Sequence, residues 1–159
     1  MKWSKLKQLA EQSFAPEIKS RIELKSTTYC NSGCGRFYIT IDGKEIATFC
    51  SRAAETSEYF EETGVEFDFS NHKQYKRMPV EYGELKRTEV YRLIWKSIHD
   101  LSVDESIASD KPFIQMLAVL DARFGKRRLK QLNPEEFHPL VAFMIKFRLS
   151  CIAGKSKVV

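Results

Sequence analysis

The first helix is predicted by the spacing of apolar residues at the start of the chain. Within "WSKLKQLAEQSF", apolar side chains recur at helical intervals: they are Trp3, Leu6, Leu9, Ala10 and Phe14. One side of the helix is therefore apolar and the other is charged. Pro16 ends the helix, because proline lacks the backbone N–H that a helix interior needs.

A period of two replaces the helical period in the next segment. Apolar and polar residues alternate in "RIELKSTTY" and "RFYITIDGKEIATFC", which is typical of half-buried strands. Asp42-Gly43 favours a type I′ turn, since both central positions of that turn need positive φ. A two-residue turn there predicts the cross-strand pairs Ile41–Lys44, Ile39–Ile46 and Phe37–Thr48. We expect the first helix to cover the apolar face of this hairpin.

The second half of the chain returns to helical periodicity. "GELKRTEVYRLIWKSIHDL" predicts one helix, and a second is predicted over Phe113–Phe124, with Ser109 or Asp110 as its N-cap. Gly125 fits the position after the helix end, where positive φ is favourable. A last helix follows Pro139, and its sequence "LVAFMIKFRL" is apolar nearly all round. Such a helix lies either at the centre of the core or half buried against another chain, so a dimer formed through this helix is one alternative.

These elements together predict an α+β protein, in which an N-terminal helix packs on a small antiparallel sheet and a C-terminal helical bundle follows. A chain of 159 residues, 43% of them hydrophobic, can bury one core. We therefore predict a single compact domain over residues 1–159, with an α/β lobe at about 1–80, a helical lobe at about 81–152 and a short flexible tail at 153–159. Neither a long uncharged apolar run nor a signal sequence is recognisable, so we expect a cytoplasmic protein without a membrane partner.

Charge is distributed unevenly along the chain, whose formal net charge is +5. Residues 81–159 carry 14 Lys and Arg against 10 Asp and Glu, whereas residues 1–80 carry 12 against 11. Ala53–Phe69 contains six acids and no base, and a helix is predicted around Arg52–Phe60. Such a segment suits a basic protein partner, because opposite charges steer association. The predicted partner-binding side chains are Glu58, Glu61 and Glu62.

Several stretches of the sequence, in the same order, carry a family resemblance. They are "MKWSKLKQL", "GRFYITIDGKEIATFC", "LDARFGKRRL" and "HPLVAFMIKFRL". The chain resembles a family of small bacterial cytoplasmic proteins of unknown function, and the match covers most of the chain apart from roughly Ala53 to Arg87. The resemblance implies no catalytic residue or ligand, so the function has to be inferred from the residues themselves.

The stretch "DARFGKRRLKQL" is the strongest candidate for binding a polyanion. Five basic residues fall within eight positions: Arg123, Lys126, Arg127, Arg128 and Lys130. Such a cluster can displace counterions from nucleic acid. It also fits the solvated carbonyl end of the preceding helix, where each cation stabilises the helix dipole by about 0.3–1 kcal/mol. No aromatic residue other than Phe124 interleaves with the cations, and helical spacing assigns Phe124 to the core, so the solvated helix end is the favoured interpretation.

The cysteines raise the question of a metal site. Cys30 and Cys34 form a C-x3-C pair, and Cys50 with His72 or His99 could complete four ligands for zinc. A second close pair is missing, and a buried strand end accounts for Cys50. We therefore predict no metal and no cofactor.

The remaining polar motifs are predicted to cap helices. Asn133 as N-cap, Pro134 at N1 and Glu136 at N3 form a variant of the capping box, and His138 directly before Pro139 fits a helix N-terminus. No phosphate-binding loop or nucleophile elbow is recognisable. We therefore predict no catalytic residues. The leading hypothesis is a non-enzymatic protein-interaction module, with a toxin-neutralising immunity protein as one form; the alternative is a nucleic-acid-binding protein that uses Arg123 to Lys130.

Overall fold

The computed structural model describes residues 2–28, 35–50 and 85–154. The chain forms two compact units. One comprises Met1–Arg21 and Tyr91–Val159 and is called the helical unit, and the other comprises Ile22–Val90 and is called the sheet unit. The order of elements confirms the predicted α+β class, because an N-terminal helix and an antiparallel sheet precede a series of helices.

The secondary structure elements have the following bounds. The helices are α1 (Trp3–Ser13), α2 (Arg87–His99), α3 (Val103–Ile107), α4 (Pro112–Leu120), α5 (Lys126–Leu129) and α6 (Pro139–Ile152), with a 3₁₀ helix at Pro134–Glu136. The strands are β1 (Ile22–Thr28), β2 (Gly35–Ile41) and β3 (Lys44–Cys50). Each of the described helices is too short or too polar to cross a lipid bilayer.

The turn between β2 and β3 has the predicted conformation. Asp42 and Gly43 have φ of 50° and 79°, as a type I′ turn requires at both positions. Ile41 faces Lys44 across the turn, which confirms the first predicted pair. The three strands are antiparallel in the order β1-β2-β3, with β2 in the centre.

Beyond the turn, the predicted register is wrong by one residue. A β-bulge shifts the pairing between Ile39 and the next residue of β2, so Ile39 faces Ala47 and Phe37 faces Phe49. Ile46 is the extra residue of β3 and is only half-buried. The shift brings Phe37 and Phe49 together in the buried face, with ring centroids 5.8 Å apart. This contact favours the bulge, because it pairs two aromatic rings inside the core.

The core of the helical unit is built around α4 and α6, which pack on each other. Seven of the nine residues of α4 are buried, from Phe113 to Leu120, and α6 contributes six more. The nearly uniform apolar sequence of α6 is therefore explained by burial within its own chain. Burying a large apolar side chain contributes about 1.5–3 kcal/mol, so this pair dominates the stability of the unit.

The start of α4 differs from the prediction, and α3 was missed. Lys111, not Ser109 or Asp110, is the N-cap of α4, and Pro112 occupies its first turn. Helix α3 begins with a capping box in which Ser102 Oγ accepts a hydrogen bond from Glu105 N and Glu105 accepts one from Ser102 N. These hydrogen bonds lower the pKa of the Glu105 carboxyl.

Candidate polyanion-binding surface

The segment that carries the basic residues begins where α4 ends. Asp121 is extended, with φ −69° and ψ 137°, and pairs with Phe14 in an isolated antiparallel bridge. Two backbone hydrogen bonds of 2.8 Å hold this bridge. The predicted continuation of the helix to Phe124 is wrong, because backbone pairing with the segment after α1 replaces the last helical turn.

Gly125 precedes a helix instead of following one. Its φ is −61°, which any residue adopts, and it is the N-cap of α5. The prediction that Gly125 occupies a left-handed position after α4 is therefore wrong. Lys126 to Lys130 do not lie at the carbonyl end of α4 but in and after a separate four-residue helix, so the favoured interpretation, stabilisation of the α4 dipole, does not account for them.

Carboxylates engage two of the five predicted cations. Arg123 forms a forked contact with Asp121, with Nε 3.1 Å from both carboxylate oxygens and Nη2 2.8 Å from Oδ2. The hydrogen bond to Asp121 raises the pKa of the Arg123 guanidinium. Arg128 donates to Asp104 through Nη2 and lies over the ring of Phe124, with its Cζ 4.6 Å from the ring centroid. Both guanidinium groups are thus already held by the chain.

The other three cations remain available to solvent. Lys126, Arg127 and Lys130 are exposed, and none forms an ion pair with any residue in the ranges that the structure describes. All three lie within five consecutive positions at α5. The candidate surface therefore consists of three exposed cations without an ion pair, rather than five.

Several predicted site residues lie outside the described residues. The acidic partner-binding side chains Glu58, Glu61 and Glu62 belong to this group, as do Cys30, Cys34 and His72. Within the described ranges, no group of three or more His, Cys, Asp or Glu is arranged to hold a metal ion. Cys50 is buried at the end of β3, and Cys151 Sγ accepts a hydrogen bond from Arg21 Nη1 at 3.1 Å.

The predicted N-caps Asn133 and His138 are confirmed. Asn133 Oδ1 accepts a hydrogen bond from Glu135 N, and its side-chain amide donates to Glu136 Oε1 at 3.0 Å, at the start of the 3₁₀ helix. His138 Nδ1 accepts from Leu140 N at the start of α6. These polar side chains therefore have structural contacts of their own.

The sequence analysis missed a buried ion pair between Glu17 and Arg148. Arg148 Nε lies 3.0 Å from Glu17 Oε1, and the two side chains are 2% and 8% exposed. Arg148 Nη1 also donates to the carbonyls of Val119 at 2.6 Å and Asp121 at 3.0 Å. One side chain on α6 thus links the segment after α1 to the end of α4. The available signal was that Arg148 is one of only two charged residues, with Lys146, in a largely apolar helix.

The environment of Glu17 keeps its carboxyl ionised. Burial by itself would raise the pKa of this carboxyl, but a backbone hydrogen bond at Glu17, the hydrogen bond and charge of Arg148, and the charge of Lys126 together lower it. Glu17 Oε2 is buried and has no hydrogen-bond partner among the described residues. The backbone hydrogen bond at Glu17 and the contact with Arg148 therefore together compensate for burying this negative charge.

The two units differ in charge. The helical unit carries 17 Lys and Arg against 9 Asp and Glu, whereas the sheet unit carries 9 against 12. These features define a class of protein, an α+β protein with a basic helical unit and an acidic three-stranded sheet unit. The chain belongs to the SF0329 protein family, whose model matches residues 2–149, and this confirms the family resemblance. Comparison with curated proteins and with solved structures finds no match.

Proposed function

We propose that the protein is a non-enzymatic interaction module that binds another protein, with toxin neutralisation of the immunity type as one form of this function. The observation that carries the proposal is the separation of charge between the two units, a net +8 in the helical unit and −3 in the sheet unit. Charge separation of this kind orients and accelerates the encounter with a partner of complementary charge.

The contacts of the reactive side chains support a binding role. His138 caps α6, the His99 ring contacts the Trp95 ring, and Cys151 accepts a hydrogen bond from Arg21. Each of these groups has a structural partner that accounts for its position. The acidic segment supplies the proposed contact with a basic partner through Glu58, Glu61 and Glu62.

The test is reversal of the three glutamates to lysine in the full chain. Partners are captured from the source cells with the wild type and with the variant, and association of each purified partner is followed by stopped flow. We expect slower association with the variant, because rim charges act mainly on the association rate. A matched control reverses Asp100, Asp110 and Glu136, which are exposed acids of the helical unit. A partner whose association ignores the first change, or is equally sensitive to the control, would contradict the proposal.

A second candidate function is nucleic-acid binding through Arg123 to Lys130. The observation that favours it is the group of three exposed cations at α5, which have no carboxylate partner in the described part of the chain. Gel shifts at rising salt test it, since each phosphate contact contributes about 0.7–0.9 to the logarithmic salt slope. The four-Gln variant, which replaces Lys126, Arg127, Arg128 and Lys130, should abolish the salt-dependent retention. We expect wild-type retention that is weak and disappears near physiological ionic strength; tight binding there would promote this function over the first.

A further inference from the structure

An aromatic face of α2 is exposed to solvent. Among the described residues, Trp95 is the one large hydrophobic residue that is exposed, with 39% of its surface accessible. Tyr91 and His99 lie four residues on either side of it, so the three rings share one helix face. The Trp95 and His99 ring centroids are 3.8 Å apart, and Tyr91 stacks on Trp3 of α1 with centroids 4.7 Å apart and an interplanar angle of 11°.

Positive charges border this aromatic face. Arg92 and Lys96 are exposed, lie four residues apart and each follow one of the rings in sequence. No Asp or Glu occurs between Tyr91 and His99. Neither cation forms an ion pair within residues 2–28, 35–50 and 85–154. The face therefore combines large flat side chains with two exposed cations that form no ion pair within the described residues.

Packing within the helical unit accounts for Tyr91, which stacks on Trp3, but not for Arg92, Trp95 and Lys96. Ile94 and Ser97 are the buried residues in this part of α2. At 100° per residue, they lie on the opposite side of the helix from Arg92 and away from the centre of the aromatic face. Because Ile94 and Ser97 fix the side of α2 that faces the core, Trp95 faces solvent. Tryptophan, tyrosine and arginine are also the residues most enriched among those that dominate protein–protein binding energy.

The stacking of the rings indicates which kind of partner fits. A nucleobase stacks on an open ring face, and Trp95 and Tyr91 each have one face in contact with a neighbouring ring, His99 and Trp3, which halves the ring area available for stacking. The exposed part of Trp95 and the neighbouring cations remain for contact. Rings that are already held in place lose little conformational entropy on binding, which favours an anchored protein contact.

We propose that this face of α2, formed by Tyr91, Arg92, Trp95, Lys96 and His99, docks an acidic segment of a protein partner. The carboxylates of the segment lie against the two cations, and one of its apolar side chains lies against Trp95. The inference rests on the protein-interaction function proposed above, but it uses a different surface from the acidic segment at Ala53–Phe69.

The probe for this surface is a phage-displayed library of random peptides about twelve residues long, selected against the full-length protein. We expect the selected peptides to be rich in Asp and Glu and to contain an aromatic or large aliphatic residue. Their affinity is then measured by calorimetry with synthetic peptides. Trp95→Ala should weaken binding about tenfold or more, as expected for a hot-spot residue. Trp95→Phe keeps an aromatic ring and should retain part of the affinity, which guards against a general loss of folding.

Charge reversal provides the matched control. Arg92→Glu with Lys96→Glu should weaken binding about tenfold, whereas Lys44→Glu with Lys111→Glu, which changes the net charge equally outside α2 and α5, should leave it nearly unchanged. Circular dichroism verifies that all variants are folded. Lys44 and Lys111 are exposed and form no ion pair within the described residues, like the two cations on α2.

Three results would overturn the proposal: no enriched acidic peptide, peptides that bind Trp95→Ala as tightly as the wild type, or equal sensitivity to both charge reversals. Oligo(dT) binding that depends on Trp95, with no such peptide binding, would assign the face to single-stranded nucleic acid instead. The proposed function is tested separately, by reversing Glu58, Glu61 and Glu62 to lysine. If capture of a partner depends on those residues while the peptide experiment fails, only the inference about α2 is wrong.

Discussion

Replacement of Arg148 by methionine should destabilise the helical unit severely. Methionine preserves most of the apolar stem but removes the guanidinium. The lost contacts are the hydrogen bonds to Glu17 Oε1, Val119 O and Asp121 O, at 3.0, 2.6 and 3.0 Å. All three acceptors stay in place after the change, so the substitution leaves a buried carboxylate and two carbonyls in need of donors.

The expected loss follows from these contacts. Removing one partner of a buried ion pair costs about 3–5 kcal/mol, because the other charge stays buried without compensation. An unsatisfied buried carbonyl adds about 1–3 kcal/mol, although the effects of neighbouring contacts are not additive. We therefore expect Arg148→Met to lower the free energy of unfolding by about 4–6 kcal/mol, a large share of the roughly 5–15 kcal/mol typical of a domain.

Urea unfolding monitored by circular dichroism measures this loss, and a double-mutant cycle assigns it. Adding Glu17→Leu to Arg148→Met should recover about 2 kcal/mol, since the uncompensated carboxylate is gone. Lys146→Met is the control on the same helix; its pair with Glu135 is exposed, at 58% and 78%, and should contribute about 0–1 kcal/mol. A cost below about 1 kcal/mol for Arg148→Met, or a double variant no more stable than the single one, would refute the reasoning.

Three further predictions concern other parts of the chain. Gly43→Ala should lower the free energy of unfolding by about 1–2 kcal/mol, measured by thermal unfolding, because φ is +79° at this position. Gly35→Ala should lower it more, because its Cβ would lie 2.2 Å from Thr27 O; equal losses for the two variants would contradict this. The pKa of Glu17 is lowered in the folded state, so its ionised carboxylate stabilises the fold above the ordinary glutamate pKa, and this contribution is lost as the pH falls through the lowered value. Glu17→Gln should therefore make the free energy of unfolding depend less on pH below about pH 4.3; unchanged acid sensitivity would exclude this carboxyl as its source. The four-Gln variant should lose only about 1–2 kcal/mol in urea, since the contacts seen to stabilise the fold are the Arg128 pair and ring contact and the charge of Lys126 near Glu17; a loss above about 3 kcal/mol would indicate a structural role for the run.

Local sequence chemistry predicted the hairpin turn and the caps at Asn133 and His138. Asp42 and Gly43 both have positive φ, and Asp-Gly is one of the few residue pairs that adopt this conformation at low cost. The two residues alone therefore indicate the turn. The same is true of Asn133 and His138, whose side chains reach backbone N–H groups two residues ahead. Such interactions need no knowledge of the tertiary fold.

Contacts between distant segments were not predictable in this way. The bulge in β2 and β3 depends on the pairing of Phe37 with Phe49 inside the core, which alternation alone does not specify. Helix α4 was predicted too long because the bridge between Phe14 and Asp121 joins residues 107 positions apart. The pair of Glu17 and Arg148 spans 131 positions. Each of these features depends on which segments meet, and a single sequence does not show this.

The charge of the basic run at α5 depends both on a local contact and on a contact between distant segments. The contact of Arg123 with Asp121 is local and could have been anticipated from their separation of two residues in an extended turn, whereas that of Arg128 with Asp104 depends on where α3 lies. Counting cations along the sequence therefore overestimates the charge that a polyanion would meet. Three free cations predict a logarithmic salt slope of about −2 to −3, whereas five would give about −4. A steeper slope than −3 would require the paired arginines to exchange their carboxylates for phosphates, and Arg123→Gln would then reduce the slope although it leaves the three exposed cations untouched.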